Sequence, residues 1–186
     1  MQKFDLLIVG GGMVGITLAL AIRKQTQLTV AIVDASPLKN TSHEPEVRVS
    51  AINIASYNIF SYLDVWSLIE EQRLQPYTHM SVWDKDSIGK ISFDLADVKT
   101  DSSIEQLGWI IENNVIRTAL WNKAQQDSGI TFFTDEPLTN IGMGDSEVFA
   151  SFAKQMPITA KLLVGADGAN SWVRKQTDMS LICLLY

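Results

Sequence analysis

Gly10-Gly11-Gly12-Met13-Val14-Gly15 satisfies the spacing G-x-G-x-x-G, and the chemistry such a turn supports is the holding of a pyrophosphate. Gly10 permits a tight turn out of a strand. Gly12 lets the backbone approach a phosphate without a Cβ clash, and Gly15 lets the following helix sit close to a sheet. The amides near Met13 and Val14 would lie at the positive end of that helix dipole, where anions are held. An acid stands nineteen residues after Gly15, at Asp34. A carboxylate there accepts hydrogen bonds from the ribose hydroxyls of an adenosine and repels a 2′-phosphate. Glycine-rich turns are common, so the pattern carries weight only with a strand before it, a helix after it and the acid in place. On these residues alone FAD and NAD are equal readings, because both contain an ADP half.

A second chemical candidate is Gly165-Ala166-Asp167-Gly168-Ala169-Asn170-Ser171, between an apolar run and a helix-forming one. Open α/β sheets bind ligands at the carboxyl ends of their strands, which is where Asp167 falls. Asn170 or Ser171 could cap the following helix. Asp-Gly is equally an ordinary turn signal.

The elements that would position these residues read as α/β. Phe4 to Val9 is a short apolar run of the kind buried in a parallel sheet. Met13 to Lys24 reads as a helix with Val14, Leu18, Ala21 and Ile22 on one face and Arg23 and Lys24 in its last turn. Leu28 to Val33 reads as a second strand, completing a βαβ unit. A polar connection runs from Ala35 to Val47. Helices are expected over Ile54–Leu63 and Val65–Gln72, and antiparallel strands over Met80–Asp84 and Lys90–Asp94 about a turn at Asp86 to Gly89. A helix over Val115–Gln126, strands at Ile130–Phe133, Glu147–Phe152 and Ala160–Val164, and a helix over Ser171–Gln176 complete the reading. No internal repeat or flexible linker divides the chain.

The 186 residues carry 15 Lys and Arg against 21 Asp and Glu, a net charge of −6, with 46% hydrophobic and 19% charged residues. That balance supports a globular core and argues against disorder and against a dedicated nucleic-acid binder. One cysteine, Cys183, permits no internal disulfide and fits a reducing compartment. The uncharged run Leu6 to Ile22 nears the length of a membrane span, but its four glycines suit strand, turn and helix. It lacks a basic n-region and a cleavage site, so the expectation is a soluble cytoplasmic chain. His43 and His79 read as solvated or structural residues, and no metal-ligating cluster is expected.

The chain resembles the flavoprotein aromatic hydroxylases, and among them the ubiquinone-biosynthesis hydroxylases of the VisC and UbiH group. The residues that carry the resemblance are IVGGGMVG at 8–15, RVSAINIAS at 48–56, VWDKDS at 82–87, IENNVIRTALWNKA at 111–124 and LVGADGANSWVR at 163–174. It runs from about residue 4 to 178. It implies a Rossmann-like FAD-binding fold with part of an antiparallel substrate-domain sheet near 79–112, an FAD-binding domain over 1–178, and a departing tail over 179–186. It implies that Gly10, Gly12, Met13, Val14 and Gly15 bind the FAD pyrophosphate and that Asp34 takes the adenosine ribose. Arg48 corresponds to an arginine that leans on the cofactor, and Asn113 to a polar residue at the start of a cofactor-facing helix, where a purely structural cap is an equal reading. Asp167 corresponds to the carboxylate that contacts the ribityl chain.

The reaction implied is hydroxylation of a polyprenylated phenol in ubiquinone biosynthesis, with NAD(P)H as transient electron donor and oxygen as co-substrate. The cofactor carries that chemistry and the protein supplies orientation and a dry site, with no protein nucleophile or metal. Relatives continue for about as many residues again, with most of the substrate domain, so a truncated or frameshifted frame or an expressed fragment is expected. Such a chain would bind FAD weakly or partly without turnover. Exposed apolar surface, Trp83 and the Leu-rich tail included, would favour self-association or association with other ubiquinone-biosynthesis proteins. Peripheral membrane contact would come through the substrate. An NAD-binding dehydrogenase domain shares the first motif and leaves Arg48 and Asp167 unexplained. A non-catalytic nucleotide-binding module is the remaining alternative.

Overall fold

Leu6 to Val9 has no polar side chain, and such a run is stable only when both of its faces are covered; all four residues are buried in the centre of a sheet. The computed structural model of the chain describes residues 1–36, 45–97 and 105–180. In chain order the elements begin with β1 (Gln2–Val9), α1 (Met13–Gln25), β2 (Val30–Asp34), β3 (Val49–Asn53), α2 (Ile54–Tyr62) and α3 (Trp66–Glu70). They continue with β4 (Leu74–Tyr77), β5 (His79–Trp83), β6 (Lys90–Asp94), β7 (Gly108–Glu112) and α4 (Asn113–Ala124). The last are β8 (Ile130–Thr134), β9 (Leu138–Met143), β10 (Val148–Phe152), β11 (Ile158–Gly165) and α5 (Trp172–Gln176). The chain divides into two compact units, one formed by Met1–Lys39 with Leu120–Tyr186, the other by Asn40–Ala119.

The first unit is built on a six-stranded sheet of order β8-β2-β1-β11-β10-β9. Its first four strands are mutually parallel, and β10 and β9 add antiparallel to β11. The α/β class and the Rossmann-like βαβ start are therefore as expected. Arg23, at the end of α1, donates from Nε to both Asp127 oxygens at 3.1 Å and from Nη1 to the Leu28 carbonyl at 3.0 Å. Asp5 accepts from Lys161 Nζ at 2.7 Å and from the Thr29 amide and hydroxyl at 2.9 Å. The Lys161 bond above all, and then the Thr29 bonds, lower the Asp5 carboxyl to about 2. Phe133 lies between Phe4, edge-on at 6.0 Å, and Phe152, stacked at 5.4 Å.

The second unit holds a three-stranded antiparallel sheet, β3-β7-β4, and a two-stranded ribbon, β5-β6. Tyr57, Trp66 and Trp109 form its aromatic core, with ring centroids 4.7 to 4.9 Å apart. Glu112, almost fully buried at the end of β7, accepts from Arg73 Nε at 2.8 Å and Nη2 at 3.0 Å. It also accepts from the Glu46 amide at 2.9 Å. These bonds, Arg73 foremost, hold its carboxyl below the usual range against the opposing effect of burial.

Four strands lie outside the sequence expectation. β3 buries only Ile52, and β9 buries Leu138 and Ile141 three residues apart and contains Gly142, so neither shows a strand's alternation. β4 contains Pro76 and is tolerated because it is an edge strand. β7 runs directly into α4 without a turn signal. The helical run expected over Val65–Gln72 is shortened to Trp66–Glu70, and β2 starts at Val30 rather than Leu28.

The packed face of α1 also differs from the sequence reading. Its buried residues are Gly15, Ile16, Ala19 and Leu20, while Val14 is 74% exposed. Gly15 and Ala19 are too small to hold the helix away from the sheet, so the stripe beside them, Ile16 and Leu20, is buried with them. Truncating Ile16 to Ala should therefore lower unfolding free energy by about 2–5 kcal/mol, while Val14→Ala should stay within about 0.5 kcal/mol. Urea denaturation of the two variants measures the difference, and equal losses would contradict this packing.

Candidate functional site

The glycine turn leaves β1 and is clamped on both sides. Gly10 donates its amide to the Val33 carbonyl of β2 at 2.7 Å, and Ala166 donates to the Val9 carbonyl at 2.7 Å. Gly10 has φ +114°, a conformation that disfavours any side chain, and a Cβ there would overlap the Ala166 carbonyl. A Cβ at Gly15 would overlap the Gly10 carbonyl and press on Ile8 and Ala166, so this glycine clears the turn itself as well as the sheet. At Gly11 a Cβ would stand 2.9 Å from both Asp34 Oδ2 and Trp121 Cζ3. Gly12 differs from the other three: nothing lies within 4 Å of where its Cβ would be. It is the N-cap of α1, has no side-chain cap, and is followed by no acid in the first turn. No side chain caps the start of α1 at Met13 and Val14, and the backbone at Gly12 is open to approach.

Asp34 ends β2 beside this turn. Its Oδ2 accepts from the Gly11 amide at 3.0 Å and its Oδ1 from the Ser36 amide at 2.9 Å. The carboxylate therefore shapes the turn, a role the sequence reading did not include.

Asp167 follows β11, whose Gly165 pairs with Val9. Its Oδ1 accepts from Ser171 Oγ at 2.5 Å, and its Oδ2 from the amides of Trp172 at 2.6 Å and Val173 at 3.0 Å. Burial pushes this carboxyl up, and the bonds from Ser171, Val173 and Trp172 outweigh it, so that it lies below the usual range. Ser171, rather than Asn170, is the N-cap of α5 and accepts from the Arg174 amide at 3.0 Å. Gly168 has φ +84°, and nothing lies within 4 Å of where its Cβ would be.

The carboxyl ends of three adjacent parallel strands, β2, β1 and β11, thus bring together Asp34, the Gly10–Gly15 turn and the Gly165–Gly168 loop. β1 connects through α1 to β2 on one side and has β11 on the other, the arrangement that opens a crevice at the strand ends.

Arg48 and Asn113 lie in the second unit. Asn113 is the first residue of α4; its amide donates to the Arg48 carbonyl at 3.0 Å, and its Oδ1 accepts from Ser50 Oγ at 2.6 Å. The Arg48 side chain is exposed. Sequence reasoning missed Gly11, Ala166, Trp121 and Ser50. Their signals were the middle glycine of Gly10-Gly11-Gly12 and the strings at 48–56, 111–124 and 163–174, which contain Ser50, Trp121 and Ala166. His43 and Cys183 lie outside the described residues. Among the described residues no group of three or more His, Cys, Asp or Glu could hold a metal ion, and no helix is long and apolar enough to cross a membrane.

A family model described as "FAD binding domain" matches residues 3–183. The 3-demethoxyubiquinol 3-hydroxylase of Escherichia coli K12 is 32% identical over 181 residues, covering 97% of this chain and 45% of that protein. The mitochondrial ubiquinone biosynthesis monooxygenase COQ6 of Homo sapiens is 28% identical over 207 residues, covering 98% of this chain and 41% of that one. The chain therefore spans less than half the length of these relatives. Among solved structures, p-nitrophenol 4-monooxygenase PnpA of Pseudomonas putida aligns with a TM-score of 0.74 at 18% identity, over 95% of this chain and 44% of that one. PqsL of Pseudomonas aeruginosa, a probable FAD-dependent monooxygenase, aligns with a TM-score of 0.76 at 15% identity, over 100% of this chain and 48% of that one. At such identities these two likenesses establish the fold alone.

The Asp167 bonds have a measurable consequence. Removing them with Asp167→Ala should cost about 1–2 kcal/mol, as for loss of a helix cap, and Asp167→Asn, which keeps an acceptor, should cost less. A carboxyl lowered by folding stabilises fully above its unfolded value and loses that contribution as pH falls through its folded one. The wild-type advantage over Asp167→Ala should accordingly shrink below about pH 4. Chemical denaturation at neutral and acidic pH reads both effects.

Proposed function

The chain belongs to the FAD-binding domain family and is related over nearly its whole length to the ubiquinone-pathway flavin hydroxylases, and from that premise we propose that its first unit holds FAD at the carboxyl ends of β2, β1 and β11. The observation that carries the reading is the convergence there of Asp34, the glycine turn and the Asp167 loop. Gly12 is the approach for the pyrophosphate, since its open side is the one place in the turn where a ligand can come within contact distance of the backbone. The first-turn amides at Met13 and Val14 meet the phosphate charge. Gly10 and Gly15 fix the shape of the turn. Asp34, a carboxylate oriented by the Gly11 and Ser36 amides, is the acceptor for the adenosine ribose. Asp167, held by the start of α5, offers the free side of Oδ1 to a ribityl hydroxyl. Arg48, a forked cation, and Asn113, a polar group fixed by Ser50, are assigned to the same cofactor by the resemblance alone.

The donor set fits FAD: an open backbone approach at a helix start suits a pyrophosphate, and acceptor carboxylates suit hydroxyls. When bound, FAD supplies two-electron redox chemistry and the activation of oxygen. A polyprenylated phenol as substrate is the reading supported by the names of the relatives, and NAD(P)H as electron donor rests on the family resemblance. A cytoplasmic location, self-association and peripheral membrane contact through the substrate belong to the same proposal.

Flavin absorbance of the purified chain with and without added FAD tests the cofactor assignment. Gly12→Val should lower FAD affinity at least tenfold, about 1.4 kcal/mol, with thermal stability changed by no more than about 1 kcal/mol. Gly10→Val should prevent folding instead. Tight NAD binding without any flavin would overturn the assignment. Hydroxylation of a phenol coupled to NADH oxidation tests the activity separately.

A further inference from the structure

The β5–β6 ribbon has two chemically different faces. Met80 and Val82 pair with Phe93 and Ile91 on one; His79, Ser81 and Trp83 pair with Asp94, Ser92 and Lys90 on the other. The polar face is a continuous chain of hydrogen bonds. His79 Nδ1 lies 3.1 Å from Asp94 Oδ2, His79 Nε2 lies 3.0 Å from Ser81 Oγ, and Ser81 Oγ lies 2.9 Å from Ser92 Oγ.

The protons in this chain follow from its ends. Asp94 also accepts from the Ala96 amide at 2.9 Å. That bond, and then the one from His79, hold its carboxyl below the usual range, so it is ionised at neutral pH and can only accept. The proton of a neutral His79 is therefore on Nδ1, which leaves Nε2 as the acceptor. Ser81 must donate its single proton to Nε2, and Ser92 must donate to Ser81 Oγ. An acid orients a base, and the base is bonded to a hydroxyl: this is the arrangement that activates a serine.

We propose that Ser81 is an activated nucleophile that accepts the acyl group of activated aryl esters, with His79 as its base and Asp94 as a positioning residue. Ser81 Oγ attacks the ester carbonyl carbon while its proton passes to His79 Nε2. The bond from that carbon to the aryl oxygen then breaks, and the aryl alcohol leaves with the proton returned from Nε2. Water, deprotonated by His79, hydrolyses the acyl-serine to the free acid, so no oxidant or reductant enters. Lys90, next on the same face, adds a cation, and Trp83, 69% exposed, provides an aromatic surface for the ester. The His79 and Asp94 side chains are 54% and 50% exposed, so water competes for each bond and the acceleration is small beside that of a buried triad.

The test uses the purified chain and p-nitrophenyl acetate at neutral pH. One acetyl group should be found on Ser81 by peptide mass mapping of the wild-type protein, a result that requires no variant to fold. Ser81→Ala and His79→Gln should each lower p-nitrophenol release about tenfold, below the 10²–10⁴ of efficient acid–base catalysis because of the exposure. Asp94→Glu should restore more of the rate than Asp94→Ala, which a merely structural acid would not do once circular dichroism has matched the folds. Acetylation confined to lysines, or release by Ser81→Ala at the wild-type rate, overturns the proposal.

Discussion

The contact between the Ala166 loop and the glycine turn is the constraint on which the proposed cofactor site depends. β1 and β11 run parallel through seven paired positions, from Gln2↔Ile158 to Val9↔Gly165. They deliver two loops to the same point, and those loops can coexist only if Gly10 and Gly15 have no side chains. The Ala166 amide closes the contact on the Val9 carbonyl at 2.7 Å. Two motifs separated by some 150 residues of sequence are in this way one structural feature. Because Gly10, Gly11 and Gly15 are spent on packing, Gly12 alone remains for a ligand to approach.

The two carboxylates at the site have a matching economy. Asp34 and Asp167 each hold backbone amides of the loop or helix beside them, so neither is a loose side chain awaiting a ligand. A ligand that bonds to a carboxylate already oriented loses less freedom in doing so, which is the physical content of preorganisation. Glu112 plays the comparable part in the second unit. Its bidentate pair with Arg73 and its bond to the Glu46 amide fix the segment that leads into Arg48 and β3.

The fold was legible in the sequence where the signal is local. β1 and α1 are set by an apolar run and a glycine turn, and the ribbon β5–β6 by two strand-like runs about Gly89. The missed strands β3, β4 and β7 pair with partners distant in the chain, and β3 shows little apolar pattern while β4 carries a proline; β9 pairs with the adjacent β10 but its pattern is interrupted at Gly142. The face of α1 was misread for a related reason. Periodicity counts large apolar residues such as Val14, whereas close approach to a sheet is governed by small ones such as Gly15 and Ala19.

By itself the sequence determined the chemistry available: a phosphate-compatible turn, an acid at a ribose distance, an Asp-Gly loop, and a resemblance that assembled them into an FAD site. Those features are local, because each depends on the backbone freedom of glycine or on the charge of one side chain. Only the tertiary structure decided which glycine of the turn stays open and which are taken up by packing, and that Asp34 and Asp167 bond to the backbone beside them. It alone brought His79, Ser81 and Asp94 into one hydrogen-bonded chain. These outcomes depend on which strand lies beside which, and cross-strand neighbours such as Val9 with Gly165 or His79 with Asp94 are set by register, a property that no single stretch of residues contains.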